Sequence, residues 1–235
     1  MSDSTVTGQL RARAGAGVVE TEWASVRPYV LPIVVFGLLT ALETPLSDYY
    51  LFIYAAKVVA VTAALLVWRE PLQDIRPSRL VIGPSVLVGL ILFVVWVGLG
   101  NLVPYSYLGA RSGFDPFTLD SGLEVGLFLA MRFYGLVLLV PVMEELFWRS
   151  FLLRYLTSSA FRSVRIGAFS TSALLIMIAA SAIAHPEWLA AALTSLALAL
   201  WLRRTGSLFA VVVAHAATNA ALGIYVLATG SWQYW

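Results

Sequence analysis

The chain contains no cysteine, only two histidines and few charged residues. Without cysteine, disulfides, thiolate zinc sites and a cysteine nucleophile are excluded, and redox compartment cannot be read. Charged residues make up 12% of the 235 positions, where soluble domains carry roughly 25%. Hydrophobic residues make up 60%, and mean hydropathy is +0.85. These values describe a polytopic membrane protein whose surroundings are the lipid bilayer. The net charge of +2 comes from arginines scattered over several connections, and with no dense basic stripe a nucleic-acid partner is excluded.

The fold class expected is all-α: a transmembrane bundle of about seven to eight helices with an internal polar cavity. Residues 1–25 are polar and rich in small residues, and Glu20 and Glu22 before the first apolar run do not fit a signal peptide. They read as a disordered N-terminal tail, followed by one helical domain over 26–235. Apolar runs follow at Arg27 to Leu42, Tyr50 to Trp68 and Leu80 to Leu99. Asn101 to Ser121 is a long connection, which suggests a re-entrant piece or a lid. Gly122 to Leu156 is interrupted by Pro141 and divides best into an interfacial helix and a span from about Tyr134. Further runs cover Gly167 to Ala184, Glu187 to Leu202 and Ser207 to Ala228. With a cytoplasmic N-terminus, the arginine-bearing connections 69–79, 154–165 and 203–206 all fall inside, as the positive-inside rule requires.

The charges that remain inside apolar runs mark candidate sites, because an ionisable group near the bilayer centre costs about 2.5–3.5 kcal/mol on insertion scales. Glu144, Glu145 and Arg149 lie in one such run, and both histidines, His185 and His215, lie in later ones. Glu145 and Arg149 are i,i+4 neighbours with the acid first, the better order for a helical pair. Glu144 points about 100° away and stays free of that arginine. His215 and Asn219 share the i,i+4 spacing and hence a helix face. A carboxylate can activate water, and an imidazole with a carboxamide can hold an oxyanion, so these groups suit water attack on a peptide carbonyl. Two imidazoles and a carboxylate (Glu144, His185 and His215) also leave open a divalent metal such as zinc. Counted at 1.5 Å per residue from the nearest arginine-bearing edge, Glu144 and His215 lie at matching depths of about 15 and 16 Å. His185 lies about 30 Å from Arg165, which fits only if residues 167–172 are partly outside the helix. Glu187 reads as an exposed helix-start acid, Lys57 and Arg132 as snorkelling or paired, and Trp232, Tyr234 and Trp235 as an interfacial belt.

The ordered set Glu144-Glu145-x-x-x-Arg149, His185, then His215-x-x-x-Asn219 resembles the CPBP family of intramembrane proteases, which includes the type II CAAX prenyl endopeptidases. The resemblance covers about 120–230, the protease-like core. The family usually has phenylalanine four residues before the first histidine, where this chain has Ser181. The resemblance implies a cavity open to the cytoplasm and a glutamate-dependent endopeptidase called a metalloprotease. By position, Glu144 would activate water with His185 assisting, His215 and Asn219 would hold the oxyanion, and Glu145 and Arg149 would brace the motif. Implied substrates are peptides or proteins near a membrane anchor, prenylated or carrying a sorting signal, in a bacterial cytoplasmic (inner) membrane. The stretches 148–155 and 184–189 are also similar to an exosortase-associated CAAX protease-related subgroup. A non-catalytic membrane adaptor on the same scaffold is the alternative. A proton-coupled transporter ranks below it, since the chain shows no duplicated halves.

Overall fold

The computed structural model describes residues 3–109 and 113–235, with side chains from residue 22 onward. Seven helices carry the described fold: α1 Asp3–Glu43, α2 Tyr50–Val67, α3 Ile82–Leu102, α4 Gly122–Tyr155, α5 Thr171–Ile183, α6 Trp188–Thr205 and α7 Leu208–Thr229. Among the described residues there is no strand. The polar residues assigned to a tail continue α1 on its N-terminal side to Asp3, and its membrane-length part is Glu22–Glu43. Together with Ser47–Val67, Arg79–Leu102, Gly122–Tyr155 and Leu208–Thr229, this makes five segments long and apolar enough to cross a membrane. Large apolar side chains such as Phe52, Leu80, Val94 and Leu127 face outward. An outward apolar surface is what lipid contact requires, and the chain is a multi-pass membrane protein.

The division of 122–156 into two helices is corrected: Gly122–Tyr155 is one continuous helix. It starts at a capping box, with Ser121 Oγ accepting from the Glu124 amide at 3.2 Å and Glu124 Oε2 accepting from the Ser121 amide at 3.2 Å. Pro141 does not break it, because the preceding segment Tyr134–Leu139 is a π-helix, whose wider turn absorbs the missing N–H. A second π segment, Leu146–Leu152, follows. The two glutamates sit on the short α-helical stretch between them, Val140–Glu145.

Helix α5 starts at Thr171, capped by Ser170, after a turn at Gly167 with φ +87°. Residues 167–170 are thus outside the helix, which is the condition the depth count set for His185. Its 13 residues rise about 20 Å, less than the ~30 Å hydrocarbon core. Helix α6 ends at Gly206, whose left-handed φ of +62° lets its amide close on the Leu202 carbonyl.

The arginine-bearing connections gather at one end of the bundle. Arg154 pairs with Asp74 at 2.9 Å, Arg162 pairs with Glu70, and Arg203 donates to the Phe169 carbonyl at 3.0 Å. Toward the other end, the loop after α3 docks on the α5–α6 turn. The Leu108 amide donates to the Pro186 carbonyl at 2.9 Å and the Trp188 indole to the Ser106 carbonyl at 3.0 Å.

Helices α3 and α7 approach closely at Gly89. A Cβ there would lie 2.3 Å from the Ala214 carbonyl oxygen, whereas one at Gly98 would meet nothing within 4 Å. Thr218 Oγ1 donates to the Gly89 carbonyl at 2.9 Å across the same contact. Gly89→Val should therefore destabilise the folded protein by about 1–3 kcal/mol through overpacking, while Gly98→Val stays within about 0.5 kcal/mol of the parent. Unfolding titrations in mixed detergent micelles measure both, and equal stability of the two variants contradicts this packing.

Candidate active site

A cavity of about 570 Å³ lies between α1, α2, α4, α6 and α7, a volume in the range of ligand sites. The structure brings all but one of the candidate residues to its wall: Glu144, Arg149, His185, His215 and Asn219. The exception, Glu145, is 0% exposed and lies directly behind them.

Glu145 is the hub. Its Oε1 accepts from Arg149 Nη1 at 3.1 Å and from His215 Nδ1 at 2.8 Å. The helical pair expected from spacing is thus present, and the histidine of α7 joins it. Arg149 also reaches α6, where Nη2 donates to Ser195 Oγ at 3.3 Å and to the Ser195 carbonyl at 3.4 Å. Three helices are tied to one carboxylate. Because a carboxylate accepts, the shared proton sits on His215 Nδ1, which leaves Nε2 to accept or bind a second proton.

Glu144 contrasts with its neighbour. It is half-buried on the cavity wall and has no hydrogen-bond or ion-pair partner among the described residues. His185, just beyond α5, donates from Nδ1 to the Ser181 carbonyl at 2.8 Å. That bond uses the main chain, so Ser181 supplies it as well as phenylalanine would. Its Nε2 is then the acceptor nitrogen, and the edge of Trp96 packs against the ring.

Asn219 is engaged in a way the sequence did not indicate. Val140 donates five residues back to the Gly135 carbonyl. The next donor in this π register would be residue 141, a proline with no N–H. The Leu136 carbonyl is left without that bond, and Asn219 Nδ2 donates to it at 2.9 Å. One N–H of the amide thus joins α7 to the π segment of α4, and the second remains for a ligand.

Other expectations are corrected. Glu187 is 2% exposed, because the loop after α3 covers the α5–α6 turn. Of the two expectations for Lys57, snorkelling or pairing, the structure shows the second, with Glu43 as the partner. Arg132 is buried between the rings of Tyr54 and Trp235, and Trp235, expected at the interface, lines the cavity. Tyr234 is buried beside it, and burial, helped by the Tyr107 hydroxyl, pushes its pKa up to about 12, so it stays a neutral donor. Neither Ser195 as a partner of Arg149 nor the π segments left a signal in the sequence.

For a metal, Glu144, His185 and His215 share the cavity wall, but no three His, Asp or Glu side chains among the described residues are gathered as a ligand set. His215 Nδ1 is already committed to Glu145. The side chains as placed do not fit a three-ligand zinc site, and no step below passes through one.

A carboxylate, two imidazoles and a carboxamide thus line one cavity of a multi-pass helical protein, and every residue of the motif set lies on its wall or directly behind it within the segment that a protease family matches. Residues 126–221 match the family described as Rce1-like: Type II CAAX prenyl endopeptidase Rce1-like. No curated protein matches the chain. No solved structure matches it either.

The role of Asn219 is testable apart from activity. Asn219→Ala should destabilise the protein by about 1–3 kcal/mol by leaving the Leu136 carbonyl unpaired. In a Pro141→Ala background, which restores a backbone N–H, the same change should be clearly smaller. Independent, additive effects in this double-mutant cycle would remove the assignment.

Proposed function

We propose that the protein hydrolyses a peptide bond near a membrane anchor with water activated by Glu144, in a cavity that opens toward the cytoplasm. The observation that carries this reading is the contrast between adjacent acids: Glu145 held by Arg149 and His215, Glu144 on the cavity wall without a partner among the described residues. A general base must be free to take a proton, and a bracing carboxylate must not be.

In the reaction, a water hydrogen-bonded to Glu144 attacks the carbonyl carbon, and its proton moves to the Glu144 carboxylate. The oxygen of the tetrahedral intermediate becomes negative. It is met by the unused N–H of Asn219 and by His215 Nε2–H when that ring carries two protons. His185 Nε2 can accept a hydrogen bond from the attacking water. When the C–N bond breaks, the proton on Glu144 goes to the leaving nitrogen, giving an acid and an amine.

The gathering of the arginine-bearing connections at one end supports a cytoplasmic placement of that end, with the N-terminus on the same side. An inner-membrane location and substrates that are prenylated or carry a sorting signal follow from the motif resemblance alone.

With the protein reconstituted in vesicles and a lipid-anchored peptide library as substrate, Glu144→Gln and His215→Ala should each lower kcat/KM by about 10²–10⁴ with the folded fraction unchanged. Undiminished cleavage by both variants sinks the assignment. Dialysis against a strong zinc chelator should leave the rate intact. A loss restored by zinc would transfer water activation from the glutamate to a metal.

A further inference from the structure

His185 lies in the turn between Ile183, the last residue of α5, and Trp188, the first of α6, so no helical backbone orients its ring. The hydrogen bond from Nδ1 to the Ser181 carbonyl, at 2.8 Å, fixes one corner of the imidazole and leaves the ring free to swing about that bond. A second contact is needed to aim Nε2. Trp96 supplies it: the two rings meet with centroids 6.2 Å apart and planes at 78°, and both side chains stand on the cavity wall. Perpendicular contact of this kind is a favoured arrangement of aromatic rings. The indole N–H of Trp96 is buried and has no hydrogen-bond partner among the described residues, so the ring acts on His185 and the donor does not.

Trp96 belongs to α3, a helix that carries none of the motif residues, and the packing of α3 decides where the indole arrives. Ser85, Gly89, Leu92 and Trp96 are spaced by four, three and four residues, which puts them on one face of the helix. Ser85 is fully buried and accepts from the Trp201 indole of α6 at 3.1 Å. Gly89 meets α7, where Thr218 Oγ1 donates to its carbonyl at 2.9 Å. Trp96 lies two turns beyond Gly89, about 10 Å along the axis and within about 20° of the same direction. The face held against α6 and α7 therefore carries the indole to His185. The loop that follows α3 grips the same turn, through the bonds from the Leu108 amide to Pro186 and from the Trp188 indole to Ser106.

We propose that Trp96 is a positioning residue for the hydrolysis, aiming His185 Nε2 at the attacking water through the contact of the two rings. This rests on the proteolytic reading and adds to it a residue outside the motif set. No bond forms or breaks at Trp96. Its effect falls on the chemical step and not on peptide binding, because a small misplacement of a group at the reacting atoms costs rate steeply.

The test uses the full-length protein in lipid nanodiscs and reads it in two ways. With isotope-labelled histidine only two imidazoles are observed, and the spectrum of His215→Ala identifies that of His185. The His185 ring protons should carry a ring-current shift in the parent, keep part of it in Trp96→Phe and lose it in Trp96→Leu. With a lipid-anchored peptide that the parent cleaves, Trp96→Leu should lower kcat about ten-fold while KM stays within about two-fold. Trp96→Phe, which retains a ring, should stay within about three-fold of the parent in kcat. Trp96→Met replaces the leucine variant if that one does not fold, and loss of folded protein in both makes Trp96 a packing residue and overturns the proposal. With an active parent, a His185 signal that does not respond to Trp96→Leu, an unchanged kcat, a change confined to KM, or equal losses in the leucine and phenylalanine variants each overturns the role and leaves the protease reading standing. A parent that cleaves no peptide of the library removes the protease reading itself, and the role of Trp96 falls with it.

Discussion

The site depends on one buried carboxylate. Glu145 is fully enclosed, and its carboxylate is tolerable there because Oε1 accepts from both Arg149 and His215, while Oε2 is buried without a hydrogen-bond partner among the described residues. Arg149 comes from the next turn of the same helix, while His215 comes from α7, and Arg149 in turn holds Ser195 of α6. The same contacts that keep the charge tolerable also fix three helices relative to each other. Truncating one partner strands the rest, since removing a single member of a buried pair leaves an uncompensated charge. Bracing and catalysis are therefore joined: the group that fixes the His215 tautomer is also the one that holds the bundle together around the cavity.

That arrangement accounts for the two adjacent acids. One helix position later the side chain points about 100° round the axis, so Glu144 and Glu145 cannot share an environment. Glu145 faces the packed interior between α4, α6 and α7, and Glu144 faces the cavity. A single acid could not be both committed to structural hydrogen bonds and free to take a proton from water. Adjacent positions on a helix supply both environments without a change of backbone.

Much of this was readable from the sequence because charge in an apolar run is conspicuous and helical spacing is fixed. The pairing of Glu145 with Arg149 followed from i,i+4 spacing, and the level of His215 followed from counting residues to the arginine-bearing edges. What the sequence left out has physical reasons. The depth of His185 depended on where α5 begins, and that is set by Ser170 and by the positive φ of Gly167 rather than by any hydrophobic boundary. The continuity of α4 through Pro141 was hidden because a proline is read as a break when only the α pattern is considered. The burial of Arg132 and Trp235 was missed because both residue types, seen alone, suit a membrane interface, and only the fold brings α2 and the C-terminal aromatics together around the guanidinium.

The π segments join these local facts into one mechanical argument. A π turn places an extra residue in the helix and rotates everything beyond it, so a helix with two such segments can present side chains that a regular 3.6-residue repeat would spread around its circumference. Arg132 lies before the first segment, the two glutamates lie between the segments, and Arg149 lies within the second. Arg132, Glu144 and Arg149 nevertheless all reach the same cavity. Proline 141 fixes the first irregularity by withholding a donor, and Asn219 supplies the missing bond from α7. The His215-Asn219 face therefore acts twice on α4, once on the Glu145 side chain and once on the Leu136 backbone, nine residues apart. Two attachment points on one helix define its rotation as well as its position, and rotation decides which of two neighbouring carboxylates meets the cavity.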